Sequence, residues 1–578
     1  MTTAEIKERM QARFPEKRME FKEPVKGQLY AIVEKADVVD LAEFIHKELN
    51  GRFLITVATD RREDLGKFEI THVFSLDKEH LFVSIQTRVD PSDPTIPSIT
   101  PKIPAAGWAE REMRDFMGVF PEGHPDPRRL VLSDDWPEGV YPLRRDVPHN
   151  YRPEPDFSAK PPLKEPPEGA TVLPIGPFYL TLEEPAYFRL FVEGENIVGC
   201  DYRGFYNHRG IEKMGDSALT YNQIPFIAER ICGICGYVHS CCYCQAVELA
   251  AGIEVPLRAR LIRTIMLELE RIHSHLLWLG LAGHIAGFDT VFMQAWRVRE
   301  PVMWLCEFIT GNRKHYGMNV VGGVRRDIPK EKHDKILEVM DSVEEGTKAL
   351  KEAILGDTPL LMRLRDVGPL SQEEAWEVAV VGPTARGSKV DIDSRVDHPY
   401  AAYDVVPPNV VVYDTCDTLA RTLVRVDEVL DSVRIVRECV RQLKGLPEGD
   451  IVAEVDEIPP GREAISVVEA PRGEDVHYVL TGGENRPYRW KVRAPSYQNI
   501  QFTPLLLRNQ TIADAPIAIA STDPCFACTE RVEVVDIRSG DVKVYTAEEL
   551  ARRRRGSDLS DMSDGSDRSD KGDGLWGR

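Results

Sequence analysis

A chain of 578 residues is too long for one hydrophobic core, and at about 100–200 residues per domain it predicts two to four domains. Its 42% hydrophobic and 29% charged residues are those of a soluble globular protein, not a fibrous, collagen-like or disordered one. The 73 basic residues face 93 acidic ones, a net of −20, which excludes nucleic acid or anionic lipid as the main partner, because phosphate surfaces need a basic footprint.

The N-terminus, MTTAEIKERMQARFPEKRMEF, is charged and amphipathic and lacks the apolar centre of a signal peptide. Short β-rich runs follow at Tyr30–Val33, Phe53–Val57 and Leu81–Ile85, with a helical pattern over Val38–Leu49. This alternation predicts a small α+β domain over residues 1–147. Residues 148–170 are rich in proline and charge and predict an extended linker.

From 171 the pattern becomes helical. Strand-like runs at Tyr179–Leu182 and Phe188–Val192 open it. Pro256 suits a first helical turn, and Ile262, Ile265, Met266, Leu269, Ile272 and Leu276 then recur at steps of three and four. Further long helices are predicted over Lys330–Leu355 and Thr418–Leu443. The apolar run Ile272–Phe288 is only about as long as a minimal membrane span and carries His273, His275 and His284, so it predicts a buried helix. The last region, 532–578, begins with a strand-then-helix pattern and, after about 551, becomes a Ser/Asp/Gly-rich tail that predicts disorder.

Eleven cysteines are far too few for a disulfide-stapled scaffold, so thiols or metal ligands in a reducing compartment are expected. Two C-x-x-C pairs stand out: Cys232 and Cys235 in Arg230-Ile231-Cys232-Gly233-Ile234-Cys235-Gly236, and Cys525 and Cys528 in Asp523-Pro524-Cys525-Phe526-Ala527-Cys528. Each turn brings two thiolates to one metal, and soft thiolates select nickel, zinc, copper or iron–sulfur iron. Arg230 and His239 stand nearby and favour thiolate. The pairs lie 293 positions apart, which suits a catalytic metal better than a short zinc knuckle; structural zinc and a redox dithiol stay open on spacing alone. Cys241, Cys242 and Cys244 follow on one expected helix, where 242 faces away from the other two, so they are read as small core residues, with Cys200, Cys306, Cys416 and Cys439.

The two motifs together, Arg-Ile-Cys-Gly-Ile-Cys-Gly-x-x-His and Asp-Pro-Cys-x-x-Cys-x-x-Arg, resemble the large subunit of nickel–iron hydrogenases. Arg531, where many members have histidine, is similar to the energy-converting, complex I-related branch. Residues 108–146 resemble a small hydrophilic subunit of complex I, and 171–531, with His208-Arg209-Gly210-Ile211-Glu212-Lys213, resemble the complex I quinone-site subunit and its hydrogenase relatives. Fusion of the two parts is similar to the formate hydrogenlyase type. The fold implied is an α+β N-terminal domain followed by a mostly α-helical hydrogenase-like domain with peripheral strands.

The resemblance implies nickel held by Cys232, Cys235, Cys525 and Cys528, with iron bridged through Cys235 and Cys528 and carrying carbonyl and cyanide ligands; a magnesium or further iron ion nearby belongs to the same expectation. Cys525 is implied as first proton acceptor and Glu184 as proton relay, since a carboxyl near a dry metal has a raised pKa. Arg472 is implied to overhang the metals. Ser521, Thr522, Pro471 and the Arg472 backbone are implied to line the iron ligands, and His239 either meets a bridging cysteine or satisfies a buried helix. Partners implied are an iron–sulfur small subunit, membrane-embedded complex I-like subunits, a formate or carbon monoxide dehydrogenase or ferredoxin as donor, and a maturation protease, whose cut would fall after Arg531; that Val532 to about Leu550 instead stays as folded structure is the open alternative. Location at the cytoplasmic face of the membrane follows. Two alternatives remain, a fused quinone-site subunit and a zinc-stapled scaffold. Against the first, Gly176-Pro177-Phe178-Tyr179 lacks the Gly-Pro-x-His-Pro pattern.

Overall fold

The computed structural model describes residues 1–154, 156, 158–159, 163–176, 185–205, 208–455, 457–525, 534–535 and 542–543. The chain divides into two compact units, Met1–Arg531 and Val532–Arg578.

The first unit opens with α1 (Thr3–Arg13), whose start is fixed by a reciprocal cap: Thr2 Oγ1 accepts from the Glu5 amide and the Glu5 carboxylate accepts from the Thr2 amide. Strands β1 (Glu20–Val25), β2 (Gln28–Ile32), β3 (Arg52–Arg61), β4 (Lys67–Leu76) and β5 (Leu81–Val89) form a sheet in the order β1-β2-β5-β4-β3, with only β2–β5 parallel. Helix α2 (Val38–Glu48) buries Leu41, Ala42, Phe44 and Ile45 in the same core as Phe53, Phe68 and Phe74 from the sheet. Helix α3 (Gly107–Met117) follows. The predicted strands and helix of this region all stand.

After the proline-rich segment come strands β6 (Thr171–Ile175), β7 (Tyr187–Glu193) and β8 (Asn196–Arg203), in the order β8-β7-β6. The strand-like run Tyr179–Leu182 lies outside the described residues. Helix α4 (Gly236–Ala251) leads to a bundle of four long helices, α5 (Leu257–Ile285), α6 (Asp289–Thr310), α7 (Lys330–Gly356) and α8 (Thr418–Gly445), which pack in a ring: α5 on α6, α6 on α7, α7 on α8, α8 on α5. Residues 272–285 lie inside α5, buried up to Gly283 but for the half-buried Leu281, while His284 is exposed beside Asp289, and among the described residues no helix is long and apolar enough to cross a membrane.

Strands β9 (Glu463–Ala470), β10 (Gly473–Thr481) and β11 (Pro487–Arg493) form an antiparallel sheet over α4. Buried ions tie this sheet to the bundle. Glu428 of α8 meets His275 at 2.8 Å and Arg386 at 2.8 Å, Arg386 meets Glu469 at 2.8 Å, and Arg271 donates to the Glu469 carbonyl at 2.6 Å. Such a set fixes one geometry more than it adds stability, because desolvation offsets most of the Coulomb gain.

In the second unit, Val534–Val535 pair with Val542–Lys543. The helical part of the pattern predicted there lies outside the described residues.

Candidate metal centre

The first cysteine pair sits where the chain enters α4. Gly236 opens that helix for a steric reason: a Cβ there would lie 2.5 Å from the Glu229 carbonyl and 2.7 Å from the Tyr316 ring. Gly233 meets open space instead. Within the turn, the amides of Ile234 and Cys235 donate to Cys232 Sγ at 3.4 and 3.2 Å, and the Tyr316 hydroxyl donates to the Cys232 carbonyl at 3.0 Å. Glu229 is buried beneath it and accepts from the Gly317 amide at 2.8 Å.

The second pair arrives by way of a short helix, α9 (Ala515–Ala520), that the bundle grips. Trp278 Nε1 donates to the Ala520 carbonyl at 2.7 Å, and Arg425 donates to the Ser521 carbonyl at 2.9 Å. Arg425 also stacks on Trp278, 4.0 Å from the ring centre. Asp523 then takes a left-handed backbone (φ +52°), and the Cys525 amide donates to Ser496 Oγ at 3.0 Å. Cys525 Sγ thereby comes to 3.3 Å from Cys232 Sγ, with Cys235 buried beside them. Cys528 and Glu184 lie outside the described residues.

Arg472 stands at the tip of the β9–β10 hairpin, where Ala470 pairs with Gly473. The tip is pressed onto Gly382, where a Cβ would fall 2.5 Å from the Arg472 carbonyl. Its guanidinium is buried and forked: Nε donates to the Asp523 carbonyl at 2.7 Å, Nη2 meets Asp523 Oδ1 at 2.9 Å, and Nη1 lies 3.4 Å from Ser274 Oγ. Burial opposes that charge, but Asp523 and then Cys232, Cys525 and Cys235 hold it firmly protonated. Conversely, the hydrogen bond with Cys232 and burial push the Cys235 thiol well above its ordinary value, and Arg472 opposes them.

This donor set fits a soft transition metal. Three thiols converge in a buried pocket, and a coordinated thiol is deprotonated outright. Arg472 then supplies the counter-charge. The sequence reading gave that part to Arg230 as well, but its side chain turns outward to the Phe226 carbonyl and Glu229.

The remaining predicted residues fall as follows. Ser521 and Thr522 are buried, but their hydroxyls donate to the Ala518 and Ile519 carbonyls at 2.6 and 3.0 Å. Pro471 is buried beside Arg472. His239 lies 3.0 Å from Asp475, a residue the sequence reading did not single out. Burial pushes the Cys241 thiol up to about 12, as suits a core residue, and Cys242, Cys244, Cys200, Cys306 and Cys439 are buried too. Cys416 differs: it is half-exposed, because it occupies a left-handed turn (φ +58°) just before α8.

Sequence reasoning also missed the role of Asp523 and a second buried group, Glu270, His273 and His315. Asp523 was visible in the quoted motif and His273 among the histidines of the apolar run, whereas Glu270 was hidden in the helical period.

Family models match along the chain: the 30 Kd subunit of respiratory-chain NADH dehydrogenase over residues 31–153, nickel-dependent hydrogenase over 209–293, and the 49 Kd subunit of respiratory-chain NADH dehydrogenase over 286–462 and 450–531. Formate hydrogenlyase subunit 5 of Escherichia coli K12 is 40% identical over 92% of this chain and 95% of its own length. Hydrogenase-4 component G of the same organism is 40% identical over 89% and 90%. Among solved structures, an archaeal respiratory membrane complex, the membrane-bound sulfane sulfur reductase, has a chain that matches with a TM-score of 0.59 at 29% identity, covering 63% of this chain and 99% of that one. With the cysteines converged as described, the chain belongs to the family of complex I-related nickel-dependent hydrogenase large subunits, formate hydrogenlyase type, carrying a fused N-terminal part like the small hydrophilic subunit of complex I.

Proposed function

We propose that the protein is the catalytic large subunit of a membrane-associated nickel–iron hydrogenase, interconverting two protons and two electrons with H2. The observation that carries this reading is the approach of Cys525 Sγ to 3.3 Å from Cys232 Sγ across 293 residues of chain, under a buried arginine. Cys232, Cys235, Cys525 and Cys528 would hold the nickel, with Cys235 and Cys528 serving the iron as well. When bound, the centre supplies an open coordination position and exchange of electrons. Carbonyl and cyanide would be the remaining ligands of the iron, and a magnesium or further iron ion would belong to the same centre.

The chain's own groups do the rest. Cys525 Sγ takes a proton as H2 is cleaved, Glu184 passes it outward, and Arg472, held by Asp523, keeps a fixed positive charge over the thiolates. Electrons come from an iron–sulfur partner fed by formate or carbon monoxide dehydrogenase or ferredoxin. Attachment to the cytoplasmic face of the membrane runs through embedded complex I-like subunits, since no described helix crosses. Where a maturation protease acts on this chain, its cut falls after Arg531; otherwise Val532 to about Leu550 stays as folded structure.

Metal analysis of the purified complex tests this directly. Nickel with iron, and infrared bands of carbonyl and cyanide, are expected. Zinc alone would make the protein a stapled scaffold, and no bound metal would leave the quinone-site reading.

A further inference from the structure

The mechanism leaves unused a buried cluster at the start of α4. Glu270 and His273 stand about one helical turn apart on α5 and so share a face. His315 reaches them from the loop after α6, and all three side chains are fully buried. One ligand atom from each lies within 4.8 Å of the others. His315 takes a left-handed backbone (φ +47°), a strained conformation for a residue with a side chain, and its amide donates to the Asn312 carbonyl at 2.8 Å. The Glu270 carboxylate accepts from the amides of Tyr237 and Val238 at 3.0 Å each, and so holds the first turn of α4 just after Cys235.

The rings are the unusual part. Both nitrogens of His273 and both of His315 are buried without a hydrogen-bond partner. His315 Nε2 lies 3.3 Å from Glu270 Oε2, yet the two are not aligned as a hydrogen bond. Buried polar groups are almost always paired, so four orphaned ring nitrogens in one place call for a partner from outside the chain. A tetrahedral ion meets the geometry: donors about 2.0–2.1 Å from it lie about 3.3 Å from one another. A carboxylate oxygen that accepts one amide keeps a lone pair for such an ion. Burial, helped by Lys314, keeps His273 neutral, the form that ligates. Burial works against protonation of His315, but Cys306 and Glu270 raise it to about 9, so an ion displaces that proton on binding. Two cations stand near: Arg299, whose Nε donates to the His273 carbonyl at 2.9 Å, and Lys314, whose ammonium is lowered by burial and then by Arg299.

We propose that Glu270, His273 and His315 bind a zinc ion that pins α5 to the loop after α6 beside the first cysteine pair. Two imidazoles and one carboxylate select such an ion over magnesium, which asks for a shell of oxygens. The fourth position falls to a water molecule. The ion acts on the thiol pocket through two contacts. Glu270 holds the amides that follow Cys235, and Tyr316, next to His315, donates to the Cys232 carbonyl at 3.0 Å. The site uses none of the thiols, so it stands independently of the nickel–iron reading.

The test uses the assembled complex, produced with zinc supplied and then washed with a weak chelator. Zinc is counted beside nickel and iron, and X-ray absorption at the zinc edge reads its neighbours. About one zinc per chain is expected, with imidazole nitrogen and oxygen at about 2.0–2.1 Å and no sulfur. H273A and H315A are each expected to lose that zinc, to keep nickel, and to shift the nickel electron paramagnetic resonance signal. A wild type without zinc would overturn the proposal and leave a buried water as the partner of the rings. Zinc retained in both variants, or sulfur neighbours at the zinc edge, would overturn it by placing the zinc on the cysteines. Should both variants fail to fold, the wild-type edge spectrum decides. Zinc on the imidazoles in a complex without nickel would uphold the site and sink the hydrogenase reading instead.

Discussion

Replacing Arg472 by lysine keeps one positive charge over the thiolates but removes the planar fork. The guanidinium reaches the Asp523 carbonyl, the Asp523 carboxylate and Ser274 in three directions, and a single ammonium on a flexible stem cannot hold all three. Losing the two Asp523 contacts, at about 1.5 kcal/mol for each charge-assisted bond, amounts to about 3 kcal/mol. If that energy orients the charge in the transition state, turnover falls by about 10²-fold. The assay is H2-dependent dye reduction normalised to nickel content, with the KM for H2 measured alongside. A fall in turnover at nearly constant KM is expected, since the fork acts on charge and not on uptake of a neutral gas. Asp523→Asn should cost less on top of Arg472→Lys than it does alone, because both remove the same contact. Arg472→Met is the wrong control, as it strands a buried carboxylate at about 3–5 kcal/mol of stability. Turnover of Arg472→Lys within threefold of wild type at full nickel would refute the argument.

Cys528→Ser should abolish H2 activity and nickel retention together; full turnover in that variant would remove it from the ligand set. Glu184→Gln should slow proton exchange with solvent, read by deuterium–hydrogen exchange, while nickel stays bound. Gly236→Ala should lose about 1–3 kcal/mol to the clash with Glu229 and Tyr316, whereas Gly233→Ala should melt within a degree or two of wild type. Burial and the charge of Asp77 raise the Asp397 carboxyl from 3.8 to about 8. The unfolded chain therefore releases this proton near pH 4 and the folded chain only near pH 8, so this group lowers stability as pH rises between them. Asp397→Asn should raise the melting temperature relative to wild type at pH 8 and leave it nearly unchanged at pH 4.

The parts of this molecule that were legible beforehand are those with a short repeat. Steps of three and four announced the bundle helices, β-branched and aromatic runs announced β2, β3 and β5, and the two C-x-x-C turns announced the centre. The partners of each element were not legible, because pairing joins residues hundreds of positions apart. Asp475 meets His239 across 236 positions, and Arg52 meets Glu474 across 422. Nothing near Arg52 in the sequence marks it as a residue that reaches a hairpin beside a metal.

That last contact shows how the fused N-terminal part bears on the chemistry. Strand β10 is two-faced. Its even-numbered residues turn to the N-terminal sheet: Glu474 takes two bonds from Arg52 at 3.0 and 2.9 Å, and Val476, Tyr478 and Leu480 share a core with Tyr30, Leu54, Val57 and Phe82. Its odd-numbered residues, Asp475 and His477, turn to α4 and the cysteine pocket. Because side chains alternate with period two, any slip of β10 against the N-terminal sheet would carry both sets together. Arg52→Met leaves Asp77 and Glu474 without their shared cation. It is therefore expected to destabilise the N-terminal junction by about 3–5 kcal/mol and to shift the nickel signal as well, although Arg52 does not touch the centre. A destabilised variant with an unshifted signal would mean that the hairpin holds its register without the N-terminal sheet.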